Sequence, residues 1–554
     1  MDTPRGSLIP QSLNPTGFTN IIDVFEQSCR KFSSKPAFTS FGRTISYTEL
    51  QELADAFAVY LQKDTGLKPG DRLAIQLPNL IQYPIVLFGA LKAGLVIVNT
   101  NPLYTPREME HQFKDSGAKA LVIHKSMAHK AQEILANTDI KHVFVTQIGD
   151  LHGTLKRHLL NAAVKYIKKM EPDFSISIAQ PLRDALMKYK GQKPSPVTLA
   201  TADIAVLQYT GGTTGLSKGA VLTHGNLLSN MLQGVNVLDE APKGCVDTAI
   251  APLPLYHIYA FTISLIIMEY GGHSVLIANP RDIPGFVKEL QKWQMTAFMG
   301  LNTLFIALCN NEDFKKIDFS RFVLTISGGC ALTHKAADLW KQITGCEIME
   351  GYGLTETSPV VSINRPGAIK LGTIGVPVAE TDVAILDPDG EPVVPGTPGE
   401  LCVKGPQVMV GYWQREKETA ACFTDDGYFL TGDVAVREPD GYLRIVDRAK
   451  DMILVSGFNV YPNEVEDVFC LHPAILECAA IGIPDEHSGE VVKLFAVARD
   501  EKPDVEALKK WSKEYLTGYK IPKHIEFVDE LPKTNVGKVL RRMLKEQQVK
   551  QEVA

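Results

Sequence analysis

A chain of 554 residues exceeds one ordinary core and calls for two or more domains. Hydrophobic residues make up 45% and charged residues 22%, the balance of a globular enzyme, and a formal net charge of −6 argues against bulk nucleic-acid binding. Nine cysteines, odd in number and without a C-x-x-C pair, point to buried thiols in a reducing compartment rather than to a disulfide or zinc framework.

Along the chain, Leu73–Leu77 reads as a strand, Leu80–Ala93 as a helix, and Leu95–Asn99 and Ala120–His124 as two further strands. The alternation predicts a mostly parallel sheet with helices on its faces, and the same rhythm recurs through Ala249–Ala278 and Phe322–Glu350. Leu155–Met170 reads as an amphipathic helix. Leu155, Leu159, Ala162, Ala163, Tyr166 and Met170 share one side, and Arg157, His158, Lys165, Lys168 and Lys169 the other. The favoured expectation is a surface helix packed on its own domain; the sharper one is an interfacial helix that attracts anionic lipid headgroups. After about residue 370, glycines, prolines and β-prone residues predict a β-rich subdomain built from turns. From about Asp451 a separate α+β unit is expected, with helices at Pro462–Leu471 and Val505–Thr517 around a strand at Val492–Ala498. The polar run Asp447-Arg-Ala-Lys-Asp451 is its expected joint.

No signal peptide opens the sequence, no stretch reaches about eighteen apolar residues, and the last four residues carry no peroxisomal or lipidation signal. The expected location is cytoplasmic, at most peripheral on the inner face of the cytoplasmic membrane.

The chemistry concentrates in a few segments. Tyr209-Thr-Gly-Gly-Thr-Thr-Gly-Leu-Ser-Lys-Gly-Ala220 places Gly211, Gly212 and Gly215 among the hydroxyls of Thr210, Thr213, Thr214 and Ser217, with the cation Lys218 behind. Such a stretch can wrap backbone N–H groups and hydroxyls around phosphate oxygens. It is not a Walker A loop, because Lys218 follows Ser217 and precedes Gly219. Gly351-Tyr-Gly-Leu-Thr-Glu-Thr-Ser-Pro359 sets Thr355 and Glu356 beside a tight turn, where a carboxylate can hold Mg²⁺. Asp433 can grip ribose hydroxyls and Arg448 ribose or phosphate, and Pro532-Lys-Thr-Asn-Val-Gly-Lys538 offers a lysine after a glycine turn.

These blocks, in this order from Ile45 to Leu544, resemble the adenylate-forming superfamily of acyl-CoA synthetases, luciferases and nonribosomal adenylation domains. Within it, Asn99–Arg107, Leu253-Pro-Leu-Tyr-His257, Asp426–Asp433 and Val455–Glu464 are most similar to bacterial long-chain fatty-acid–CoA ligases. The resemblance implies an α/β fold. A large N-terminal domain of sheets flanked by helices, with a β-rich subdomain, spans residues 1–449, and a small mobile α+β domain spans 450–554. It implies fatty acid, ATP and CoA as substrates, acyl-CoA, AMP and pyrophosphate as products, Mg²⁺ as cofactor, and a homodimer. The loop with Thr210, Gly211, Gly212, Thr213, Thr214, Gly215 and Lys218 would hold phosphates, and Glu356 with Thr213 the metal. Gly328, Gly329, Gly351, Tyr352 and Gly353 would border the nucleotide, Asp433 would take the ribose, and Arg448 would brace it. Lys538 would bridge carboxylate and α-phosphate, with Glu356, Thr355 and His257 completing the catalytic set. Ser456, Gly457 and Phe458 would meet the pantetheine arm, Phe261 would gate the acyl tunnel, and Lys450 would be the hinge. Ala449 departs from the pattern, standing where a basic residue is common.

Taken alone, His257 reads as a packed histidine and Phe261 equally well as a core aromatic; Met231, Met268 and Met299 read as core filler. The competing functions are a medium-chain or aryl acyl-CoA ligase, and a catalytically silent membrane-docked lipid sensor.

Overall fold

Short β-branched runs capped by glycine and followed by amphipathic helices build two large sheets, as seen in a computed structural model. It describes residues 13–14, 16–210, 217–448, 450–456, 458–485, 487–534 and 539–553. In one sheet Arg72–Gln76, Val96–Asn99, Ala118–His124, His142–Thr146 and Ile204–Thr210 run parallel, and Lys218–Thr223 turns back antiparallel on Ile204–Thr210. In the other, Thr248–Ala251, His273–Leu276, Ala297–Gly300, Leu324–Ser327 and Ile348–Gly353 are parallel. Almost every residue of these strands is buried, as expected of parallel strands covered by helices on both faces. Helix starts follow local chemistry. Thr105 and Glu108 form a capping box ahead of Pro106–Ser116, and Thr223 with Asn226 does the same for His224–Leu238.

A four-stranded antiparallel sheet of Asp382–Leu386, Gly399–Lys404, Phe429–Arg437 and Leu443–Arg448 forms the expected β-rich part. Strand Leu443–Arg448 extends into the polar run expected as the joint, with Arg448 paired directly opposite Asp433. Beyond it, Ile453–Val455, Phe458–Val460, Ile475–Asp485, Gly489–Ala498 and His524–Phe527 form a separate sheet under helices Pro462–Leu471, Val505–Ser512 and Arg541–Val553. Its apolar side chains, among them Phe469, Leu494 and Leu508, make a core of their own.

The 155–170 segment corrects the favoured expectation. Helix Thr154–Ala162 and the π-turn Ala163–Ile167 turn their large apolar side chains outward: Leu155 is 76%, Tyr166 70% and Ile167 77% exposed. Polar contacts hold the inner side, where Asn161 Oδ1 accepts the Gly149 N–H at 2.8 Å and Asn161 Nδ2 donates to Asp150 at 3.1 Å. Among the described residues no helix is long and apolar enough to cross a membrane.

Candidate active site

The carboxyl ends of the parallel strands in both large sheets open onto one cavity of about 2860 Å³, roofed by the four-stranded sheet and the C-terminal unit. Strand ends are where an open α/β sheet leaves room for a ligand. A buried hydrogen-bond chain ties the two sheets together there. Tyr83 Oη donates to Asn99 at 2.7 Å, Asn99 Nδ2 to Gln208 at 2.9 Å, and Gln208 Nε2 to the Tyr256 carbonyl at 3.0 Å.

Two residues from separate stretches converge on Asp433, the acid expected at the ribose. Tyr352 Oη donates to Asp433 Oδ2 at 2.5 Å, and Arg448 Nε lies 3.2 Å from Asp433 Oδ1. Asp433 is buried, so its charge acts in a poorly solvated wall. Burial and the Asp433 charge push the Tyr352 phenol up, keeping it a donor. Gly351 and Gly353 flank this tyrosine on strand Ile348–Gly353, and a Cβ at Gly353 would fall 1.9 Å from the Pro359 carbonyl oxygen. Only glycine allows that turn, which delivers Thr355 and Glu356 to the cavity wall. Gly328 and Gly329, after strand Leu324–Ser327, border the same space.

Glu356 stands on the single turn Thr355–Thr357, and its Oε1 accepts the Tyr412 hydroxyl at 2.8 Å. Lys218 Nζ sits 5.3 Å over the Tyr412 ring. Burial raises the Glu356 carboxyl, while the Tyr412 hydrogen bond draws it back down. Glu356, with Thr210 and Thr355 in the same cavity wall, offers an all-oxygen donor set. It fits a hard cation such as Mg²⁺, which arrives with substrate phosphates rather than in an all-protein cage.

His257 caps helix Ile258–Glu269, accepting the Tyr259 N–H at 3.3 Å, and lines the cavity. Burial pushes its imidazole down to about 4, so it is neutral near pH 7. Phe261, one turn further on, is 2% exposed and packs in the core rather than in the cavity wall. Lys450 lines the cavity, and burial together with the Arg448 charge lowers its ammonium.

Several expected residues fall outside the described ones: Gly211, Gly212, Thr213, Thr214, Gly215, Gly457 and Lys538. Their flanks are described. Thr210 pairs with Lys218 across the hairpin, and both line the cavity. Lys533 and Val539 form an antiparallel bridge and also line it. Ser456 and Phe458 are not brought to the cavity wall; Phe458 is half-exposed and stacks on Tyr519 at 4.8 Å between ring centroids.

The structure adds residues that the sequence reading missed. Glu350, next to Gly351, is buried at the cavity edge, accepts the Leu332 N–H at 2.9 Å, and is pushed by burial up to about 7. Asp447 accepts the Asn463 N–H at 2.7 Å, and Arg541 grips Glu466 at 2.8 Å and Asn463 at 2.7 Å. This cluster joins the four-stranded sheet to the C-terminal helices. Acid and amide residues at a domain joint were the only available signal.

Residues 25–413 match the family of AMP-binding enzymes, and residues 464–538 match the AMP-binding enzyme C-terminal domain. A long-chain-fatty-acid–CoA ligase of Escherichia coli O157:H7 is 49% identical over 543 residues, covering 97% of this chain and 96% of that protein. The enzyme of the same name from Yersinia pestis is 49% identical over 545 residues, covering 98% and 97%. Among solved structures, an anthranilate CoA ligase, AuaEII, in complex with anthranoyl-AMP aligns with a TM-score of 0.87 at 24% identity, covering 98% of this chain and 100% of that one.

Proposed function

The chain belongs to the family of AMP-binding enzymes, and on that premise we propose that it is an AMP-forming ligase joining long-chain fatty acids to CoA. The observation that carries the reading is the convergence of Tyr352, Asp433, Arg448 and Glu356 at the head of an apolar-walled cavity. In the first half-reaction a fatty carboxylate oxygen attacks the α-phosphorus of ATP, the bond to the β-phosphate oxygen breaks, and pyrophosphate leaves. In the second, the CoA thiol attacks the acyl carbonyl of the adenylate, AMP departs, and a proton is released.

Both reactants of the first step are anions, so cations must offset their repulsion and the charge spread over the transition state. Asp433 accepts the ribose hydroxyls and Arg448 braces the nucleotide, while Lys218 and the hairpin loop with Thr210 receive the departing phosphates. Glu356 and Thr213 would hold Mg²⁺, which would share the phosphate charge. Neutral His257 shapes the mouth of the acyl arm and carries no proton in the reaction. Lys538 approaches from the C-terminal unit and bridges carboxylate and α-phosphate; rotation about Lys450 then exchanges it for the Ser456–Phe458 face, which guides the CoA arm. Domains 1–449 and 450–554 are the two bodies of that exchange.

The exposed apolar side of 154–170, beside Lys168 and Lys169, suits a peripheral contact with an anionic surface at the inner face of the cytoplasmic membrane. The homodimer implied by the resemblance belongs to the same proposal and is read from the mass in solution.

The test measures pyrophosphate release against acids from hexanoic to octadecanoic, with each half-reaction followed separately. Release should rise toward the long acids. Lys538→Ala should lose about a hundredfold in adenylation yet convert supplied acyl-adenylate to thioester, and Lys450→Pro should do the reverse. Failure to release pyrophosphate with any of the acids would favour a silent lipid sensor, release with short or aromatic acids alone a different ligase, and equal loss of both halves in both variants would end the rotation.

A further inference from the structure

The apolar arm of the cavity runs between two helices that face each other with the same spacing. Helix His224–Leu238 contributes Gly234, Val237 and Leu238, and helix Ile258–Glu269 contributes Ile263, Ile266 and Ile267. Positions three and four apart share one helix face, so each helix presents a continuous stripe to the arm. From the His257 cap to Ile267 the second helix advances about 15 Å, and Val246 lines the far end.

Gly234 is out of place by helix propensity, since only proline is a poorer helix residue. Its local surroundings give the reason. A Cβ at Gly234 would lie 2.3 Å from Ile266 Cδ1 and 3.2 Å from Ile266 Cγ1. Ile266 is 6% exposed and itself lines the cavity. The isoleucine χ1 is fixed by its helix, so a crowded Ile266 relieves contact by swinging Cδ1 about the Cβ–Cγ1 bond. Its protein neighbours are close-packed, and the open side is the arm.

We infer that Gly234 and Ile266 form the pair that sets how long an acyl chain the arm accepts: the missing Cβ lets Ile266 lie back and leaves the level of Val237, Leu238 and Val246 open. The inference rests on the ligase reading above. It assigns the length limit to an inter-helix contact well away from the nucleotide residues.

The experiment compares kcat/KM for hexadecanoic and octanoic acids. Gly234→Ala should cut hexadecanoic turnover by about tenfold or more while octanoic turnover stays within about twofold. Ile266→Val in the same chain removes Cδ1, the atom in the way, and should restore the long-chain rate. Val246→Phe, which fills the far end without altering either helix, should shift the profile in the same direction, so the inference stays testable if Gly234→Ala folds poorly. An unchanged ratio, a parallel loss for both acids, or no rescue by Ile266→Val would overturn the inference. Absence of turnover in the unsubstituted enzyme with every acid is a different result, which overturns the ligase reading itself.

Discussion

Asp433 is held from two directions, by the Tyr352 hydroxyl at 2.5 Å and by Arg448 at 3.2 Å, before any ribose arrives. A charged acceptor fixed in this way loses little freedom on binding, and each such hydrogen bond contributes roughly 1.5–3 kcal/mol. Burial governs the histidines as well. His124, His224, His257 and His273 are each pushed down to about 4. Below the ordinary value of 6.5 the unfolded chain takes up protons at these sites and the folded protein does not. Stability from them is therefore fully present above pH 6.5 and lost as the pH falls toward 4. Glu350 and Glu466, each pushed by burial up to about 7, work in the opposite sense between 4.5 and 7, but they are two groups against four. The thermal unfolding midpoint should accordingly be lower at pH 5 than at pH 7, and an equal or higher midpoint at pH 5 would contradict the assignment. Glu356, Asp433 and Arg448 were legible because each stands beside a glycine turn or in a strand-end motif. Tyr412 was not: it meets Glu356, 56 residues away in sequence, only because Gly411–Tyr412 adds to the edge of strand Lys218–Thr223.

At the scale of elements, periodicity reports that a segment has an apolar side but not what covers it. Helix Pro462–Leu471 and strand Ala118–His124 follow their patterns closely, because their apolar sides have a core to meet. Thr154–Ala162 does not, since Asn161 and neighbouring backbone groups anchor its polar side inward. Five large side chains, Leu155, Leu159, Tyr166, Ile167 and Met170, are thereby left more than half exposed. Replacing Leu155, Leu159 and Ile167 by serine removes no core contact, so the melting temperature should stay within about 2 °C. Sedimentation with phosphatidylglycerol vesicles should fall about tenfold or more in that variant, and undiminished sedimentation would end the membrane proposal. Phe261 carries the same lesson at shorter range: an aromatic at a helix start suits a gate or a core equally, and here its ring faces the core.

Over the whole molecule, the two-layer α/β plan and a separate C-terminal core were readable from strand–helix alternation and the change of composition near residue 370. The meeting of two sheets, a third small sheet and the C-terminal unit around one cavity was not, because it depends on contacts such as Asp447 with Asn463 and Arg541 with Glu466. That meeting is what lets one space bring a nucleotide, a carboxylate and a thiol together. The most direct test of the central claim follows the oxygen atoms. With a fatty acid labelled with oxygen-18 in its carboxylate, and with ATP and CoA, adenylation transfers one label from each acid consumed to the AMP released. The account predicts singly labelled AMP and unlabelled pyrophosphate, in step with thioester formation. Unlabelled AMP, or label appearing in inorganic phosphate with ADP as product, would contradict it.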